Sequence, residues 1–212
     1  MKLLLTVCVT WALLYPAESL NCNECTNEMC TGTTSVQCPA SMTVCRTVTS
    51  ANWTGLSTTV MVKKSCSSLQ DCFTPLNTIA VLSVNAGLFR HASTQICCGT
   101  DNCNSETLAI PSSTKNGKEC PSCASPADSL DGTCDATLNC LGAENSCFSS
   151  NITISSTKVT VLGCTSENLC SADIAMTELT TGSISIKCGA PWSISISAML
   201  VTFALSSHKF LV

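Results

Sequence analysis

CCGTDNCN (97–104) is the stretch that decides how this chain is read. Cys97 and Cys98 are neighbours, Cys103 follows, and Asn104 comes straight after it. Consecutive Cα atoms lie about 3.8 Å apart, shorter than the usual span of a disulfide, and their side chains aim in different directions. Cys97 and Cys98 therefore take other partners rather than each other. A later cysteine block copies much of the pattern around this stretch and lacks its ending.

The chain has 212 residues and 19 cysteines, a density that belongs to a disulfide scaffold in an oxidising compartment. The N-terminus supplies the route there. Lys2 precedes the apolar run LLLTVCVTWALL, and Ala17 and Ser19 occupy the small-residue positions of a leader cleavage site. Residues 1–19 read as a secretory signal peptide; the run is short for a span, and a retained signal anchor is the lesser alternative. Removing the leader removes Cys8 and leaves 18 of the 19 cysteines, an even number that permits full pairing. The C-x-x-C pairs Cys22/Cys25 and Cys120/Cys123 suggest zinc or redox chemistry only in isolation. Secretory targeting disfavours free thiolates, His91 is the one histidine before the apolar tail, and nothing reads as a βαβ unit. Ten Lys and Arg stand against fourteen Asp and Glu, with no basic run beyond Lys63-Lys64, which argues against a nucleic-acid partner.

Laid out in order, the cysteines form two copies of one frame. The first is Cys22, Cys25, Cys30, Cys38, Cys45, Cys66, Cys72, Cys97, Cys98 and Cys103; the second is Cys120, Cys123, Cys134, Cys140, Cys147, Cys164, Cys170 and Cys188. The steps Cys22/Cys25, Cys38/Cys45 and Cys66/Cys72 recur unchanged at Cys120/Cys123, Cys140/Cys147 and Cys164/Cys170. Variable gaps between fixed steps mean loops of changing length on a fixed hub. Between the cysteines, MTVCRTVTS and LSTTVMVKK flank the turn ANWTG, and TIAVLSV runs into Asn85-Ala86-Gly87. The second copy offers FSSNITISS, TKVTVLG and ELTTGSISIK. No stretch outside the termini carries a helical period. Each unit is small and all-β, and disulfides worth about 2–4 kcal/mol apiece supply much of its stability. PSSTKNGKE (111–119) has the composition of an exposed linker, and residues 107–110 fit either a last strand or the start of that linker.

This arrangement resembles the three-finger domains of the urokinase-receptor and lymphocyte-antigen family: C-x2-C opening in Leu-Asn-Cys, five further cysteines, then CC-x4-CN. The resemblance covers essentially the whole chain after the leader. It implies two disulfide-rich three-finger domains in tandem: 20–106 with ten cysteines, a linker at 107–119, and 120–188 with eight. Carried over, the family's pairing is Cys22–Cys45, Cys25–Cys30, Cys38–Cys66, Cys72–Cys97 and Cys98–Cys103, with Asn104 hydrogen-bonded to the hub. The second copy carries over as Cys120–Cys147, Cys123–Cys134, Cys140–Cys164 and Cys170–Cys188. It departs from the family where Cys188 is followed by Gly-Ala-Pro, so its last strand loses a staple and the asparagine, and 180–188 is expected to be the least stable edge.

Catalysis finds little to stand on. His91, in LFRHAS, has no nucleophile motif beside it and reads as a hairpin residue rather than a base. Asp128, Asp131 and Asp135 miss the calcium-loop spacing and read as solvated charges. Two N-x-[ST] sequons, Asn52 and Asn151, fall shortly after the fifth cysteine of their copies and are expected to carry glycans. Trp53, Leu56, Leu88 and Phe89 lie near hairpin bends, where they suit either protein-partner contacts or packing between the copies. The tail, 189–212, has small residues, a weakly polar spacer and a short apolar run, the layout of a glycolipid-anchor signal with Gly189 as attachment site; cleavage at Ser183 would discard Cys188. The expected protein is a non-enzymatic, cofactor-free and metal-free surface protein, anchored by glycolipid, that binds another extracellular protein. The alternative is a secreted inhibitor similar to the gamma-type phospholipase A2 inhibitors.

Overall fold

The computed structural model describes residues 19–27, 29–55, 57–154, 157–170 and 186–189. The leader and the tail after Gly189 lie outside them, as does the greater part of ELTTGSISIK. The described chain is mostly strand: β1 (Asn21–Cys25), β2 (Thr33–Gln37), β3 (Val44–Thr54), β4 (Ser57–Ser67), β5 (Ala80–Asn85), β6 (Phe89–Cys98), β7 (Lys115–Ser122), β8 (Ala136–Leu141), β9 (Ser146–Ile154), β10 (Thr157–Thr165) and β11 (Lys187–Cys188). One short α-helix, α1 (Pro126–Asp131), and two 3-10 turns, Leu69–Asp71 and Glu167–Leu169, interrupt them. The fold is all-β.

Two compact units are present, and they cut across the cysteine repeat. Of the described residues, the first contains Met61–Ile79, Gln95–Leu108 and those up to Val48; the second contains Thr49–Val60, Ala80–Thr94 and those from Ala109 onward.

In the first unit the core is made of sulfur. Cys22, Cys38, Cys45 and Cys98 are buried together, with Leu20, Cys66 and Cys103 packed against them. The disulfides here are Cys22–Cys45, Cys25–Cys30, Cys38–Cys66, Cys72–Cys97 and Cys98–Cys103. β1 and β2 pair antiparallel from Asn21↔Gln37 to Cys25↔Thr33. On the other side of β1 lies the small loop closed by Cys98–Cys103. Asn102 N donates to Asn21 O at 2.7 Å, and Asn21 N donates to the Asp101 carboxylate at 2.8 Å.

Asn104 completes that edge. Its Oδ1 accepts from Asn23 N at 2.9 Å, and its Nδ2 donates to Asn23 O at 2.8 Å and to Arg46 O at 3.3 Å. The side chain is 1% exposed and acts as a missing peptide group for β1. Asn104→Ala strands both backbone groups of Asn23 and is expected to cost about 2 kcal/mol. Denaturant unfolding with the disulfides oxidised checks this; a loss below about 0.5 kcal/mol would leave Asn104 without the role described.

In the second unit the sheet order runs β11-β9-β10-β5-β6, with β3 and β4 beyond β6. β9 and β10 form a long hairpin, from Thr157↔Ile154 to Thr165↔Ser146. The sulfur hub recurs: Cys120, Cys140 and Cys164 are buried together, and the disulfides are Cys120–Cys147, Cys123–Cys134, Cys140–Cys164 and Cys170–Cys188. Among the described residues β11 pairs with β9 at Lys187↔Ser149 and Cys188↔Phe148, while Ile186 before it is buried.

Two segments differ from their reading in the sequence. Residues 111–119 are not a free linker. Pro111 is buried, and residues 115–119 open β7, which pairs with β8. The composition misled because the outer half of β7, KNGKE, is exposed and shows no alternation, and its Gly117 has φ +87°. Residues 107–110 form no strand; Ala109 O accepts from Thr94 Oγ1 at 2.7 Å. In addition, PADSLD is a helix. Ser125 is its N-cap, the Asp128 carboxylate accepts from Ser125 N at 2.9 Å, Pro126 opens the helix and Gly132 at φ +71° ends it. Asp128 is thus a capping carboxylate, Asp131 closes the helix and Asp135 is exposed.

Candidate functional site

A polar cluster of the second unit surrounds Glu144, whose side chain is fully buried. It sits in the turn between β8 and β9, after Gly142, whose φ is +52° and where a Cβ would lie 2.7 Å from Ser112 O. Four donors satisfy the carboxylate. Oε1 accepts from Ser83 Oγ at 2.7 Å and from Arg90 Nε at 2.7 Å; Oε2 accepts from Asn85 Nδ2 at 3.1 Å and from Leu141 N at 2.8 Å. Arg90 is equally occupied: Nη1 donates to Ser113 Oγ and Nη2 to Ser112 O, each at 2.8 Å, while the guanidinium lies 4.4 Å from the centre of the Trp53 ring. Asn116 Nδ2 holds the same turn through Gly142 O and Glu144 O. A buried ion pair of this kind survives only when its remaining hydrogen-bonding capacity is met, and here it is met from β5, β6, the 111–113 segment and the β8–β9 turn.

Around that pair, β5 joins β10. Cys164 faces Asn85 and Thr165 faces Val84, while Ser166 N and Thr165 Oγ1 both donate to Ser83 O. Beneath lie Leu82, Val84 and Ala86 of the first cysteine copy together with Phe148, Val161, Leu169 and Ile186 of the second. The third finger of the first copy thus shares a core with the second copy.

This settles where several sequence-selected residues stand. Phe89 is half-buried and packs against that core; Trp53 is half-buried beneath Arg90; Leu88 is 37% exposed; Leu56 lies outside the described residues. His91 is half-buried, with Nδ1 hydrogen-bonded to Asn52 Oδ1 at 2.6 Å. The two sequon asparagines therefore differ, because Asn52 is half-buried and bonded to His91 whereas Asn151 is exposed and accepts from Thr160 Oγ1 at 3.0 Å. Gly189 is exposed, with open space around it. The sulfurs of Cys22, Cys38 and Cys66, and of Cys120, Cys140 and Cys164, gather closely enough to suggest metal sites, but every one is spent in a disulfide and none is a thiolate.

In the first unit, burial shifts one charge and hydrogen bonding another. Lys64, buried and bonded through Nζ to Ser105 O, has its pKa lowered by desolvation. The Ser67 and then the Ser68 hydroxyl hold the Asp71 carboxyl below the usual carboxylate range, with a smaller contribution from Arg46.

An all-β chain with two sulfur hubs and a repeated finger frame is a protein of the three-finger class. Two stretches, residues 18–106 and 116–194, match the family model of the u-PAR/Ly-6 domain. The chain is also similar to Ly-6/neurotoxin-like protein 1 of Macaca mulatta, at 36% identity over 98 residues, covering 46% of this chain and 72% of that protein. The chain belongs to the u-PAR/Ly-6 family. That domain marks extracellular binding proteins, generally non-enzymatic, at the cell surface or secreted. No helix among the described residues is long and apolar enough to cross a membrane.

Proposed function

We propose that this chain is a non-catalytic surface protein that binds another extracellular protein and is held on the outer leaflet by a glycolipid at Gly189. The observation that carries the binding reading is the match of both halves to a family domain of extracellular binding proteins. The anchor reading is supported by Gly189 itself. It directly follows Cys188, so attachment there retains the Cys170–Cys188 bond, and it is exposed with nothing crowding it. Cells expressing the full chain, treated with phosphatidylinositol-specific phospholipase C, are expected to release most of the surface protein into the medium. Gly189→Leu is expected to reduce surface display several-fold. Retention on the surface after the enzyme would sink the anchor, and protein in the medium before treatment would favour the secreted inhibitor.

A further inference from the structure

The third finger of the first copy is committed to the core shared with the second copy. Loop 69–79 of the first unit is not. Leu69 is 58% exposed, Phe73 40%, Leu76 39% and Ile79 53%: four large apolar side chains within eleven residues. Such a concentration is unusual in a unit whose own core is mostly cystine. With side chains of this size exposing roughly 100 Å² each, the loop presents about 400 Å² of apolar surface, the scale of a functional patch on a monomer.

The loop is also preformed. Cys72–Cys97 staples its start, Asp71 O accepts from Gln95 Nε2 at 2.6 Å, and Cys97 O accepts from Asn77 N at 2.7 Å. Within it Pro75 O accepts from Thr78 N across a turn whose Asn77 has φ +63°, and Thr74 Oγ1 donates to Thr78 O at 2.7 Å. Little ordering entropy is left to lose on binding, which suits a docking surface. Asp71 is the only charged residue of the loop, and its carboxylate is kept ionised by Ser67 and Ser68.

Charge selects the occupant. A two-fold dimer through this loop would bring Asp71 toward its own copy, and like charges at an interface oppose association. About 400 Å² is half of what one partner contributes to a standard interface, enough for its apolar centre but not for the whole. We propose that loop 69–79 is the docking site for the extracellular partner, and that this partner is a protein presenting an apolar ridge bordered by a basic side chain that meets Asp71. The inference rests on the reading of the chain as a binding protein and names where and what it binds.

The test displays the full chain on cells and probes it with a panel of purified extracellular ectodomains, each applied as a labelled tetramer. Phe73→Ser/Ile79→Ser is compared with Leu88→Ser and with the unaltered chain at matched surface level; all three positions are exposed, so display itself is expected to persist. The expected result is an ectodomain with a basic rim whose binding falls at least tenfold in the double variant and stays within twofold in Leu88→Ser. Binding that survives the double variant would overturn the docking site and leave the binding reading standing. No binding by any ectodomain counts against both. Association with phosphatidylcholine vesicles, or self-association in sedimentation, that the double variant abolishes would overturn the proposed occupant.

Discussion

Glu144→Ala is expected to destabilise the second unit by about 3–5 kcal/mol, the cost of removing one partner of a buried, hydrogen-bonded ion pair. Truncation leaves Ser83 Oγ, Asn85 Nδ2, Leu141 N and Arg90 Nε without their acceptor, in a site where the carboxylate had no solvent exposure. Arg90 keeps Ser112 O, Ser113 Oγ and the Trp53 ring, but its charge loses its counter-ion. The loss is predicted to be local to the shared core. Amide exchange should accelerate across β5 and the β9–β10 hairpin, while β1 and the sulfur core of the first unit stay protected. Arg90→Met combined with Glu144→Leu removes both charges together and should cost at least about 1 kcal/mol less than the two single changes added, because neither charge is left alone. Additive costs, or a Glu144→Ala loss under about 1 kcal/mol, would mean the ion pair is incidental to the docking of the third finger.

That junction was not legible in the sequence, for a physical reason. Arg90 stands in LFRHAS and Glu144 in LGAENS, each a single charge in a hairpin bend, where charges are usually solvated. Their meeting depends on β5 lying beside β10, and no periodicity in either segment encodes which strand of one copy will find which strand of the other. The same gap explains Trp53 and Phe89. Near a bend in a domain with little core they read as partner anchors, or as packing between the copies, and only the tertiary pairing of the third finger decides. By contrast the repeated cysteine steps made the twofold frame readable, since loops of any length leave a fixed hub in place, while the Thr- and Val-rich segments between them carried the all-β reading and the family resemblance carried the fingers. Local chemistry was readable in part: Ser125-Pro126-x-Asp128 is a capping box with proline at the first helical position, but six residues are too few to show a helical period.

Gly163→Ala should cost about 3 kcal/mol or more, at the upper end of what overpacking does. Gly163 lies in β10 where that strand crosses closest to the first copy's third finger. A Cβ there would sit 2.0 Å from Asn85 O, 2.9 Å from Asn85 C and 3.0 Å from Ala86 Cα. These are backbone atoms, with no flexible side chain to swing aside, so one strand must move off the other. Moving β5 strains the adjacent pairs Cys164↔Asn85 and Thr165↔Val84 and the bonds that Ser83 makes with Ser166 and Thr165. It also draws Ser83 and Asn85 away from Glu144, so the steric change and the buried ion pair are coupled through one strand. The expected measurement is a lowered denaturation midpoint with increased protease cutting between residues 80 and 94, and a Gly163→Ala/Glu144→Ala double variant whose loss is smaller than the sum. Wild-type protease resistance in Gly163→Ala would show that β10 does not need to lie this close, and the glycine would then owe its place to something other than the docking of the third finger.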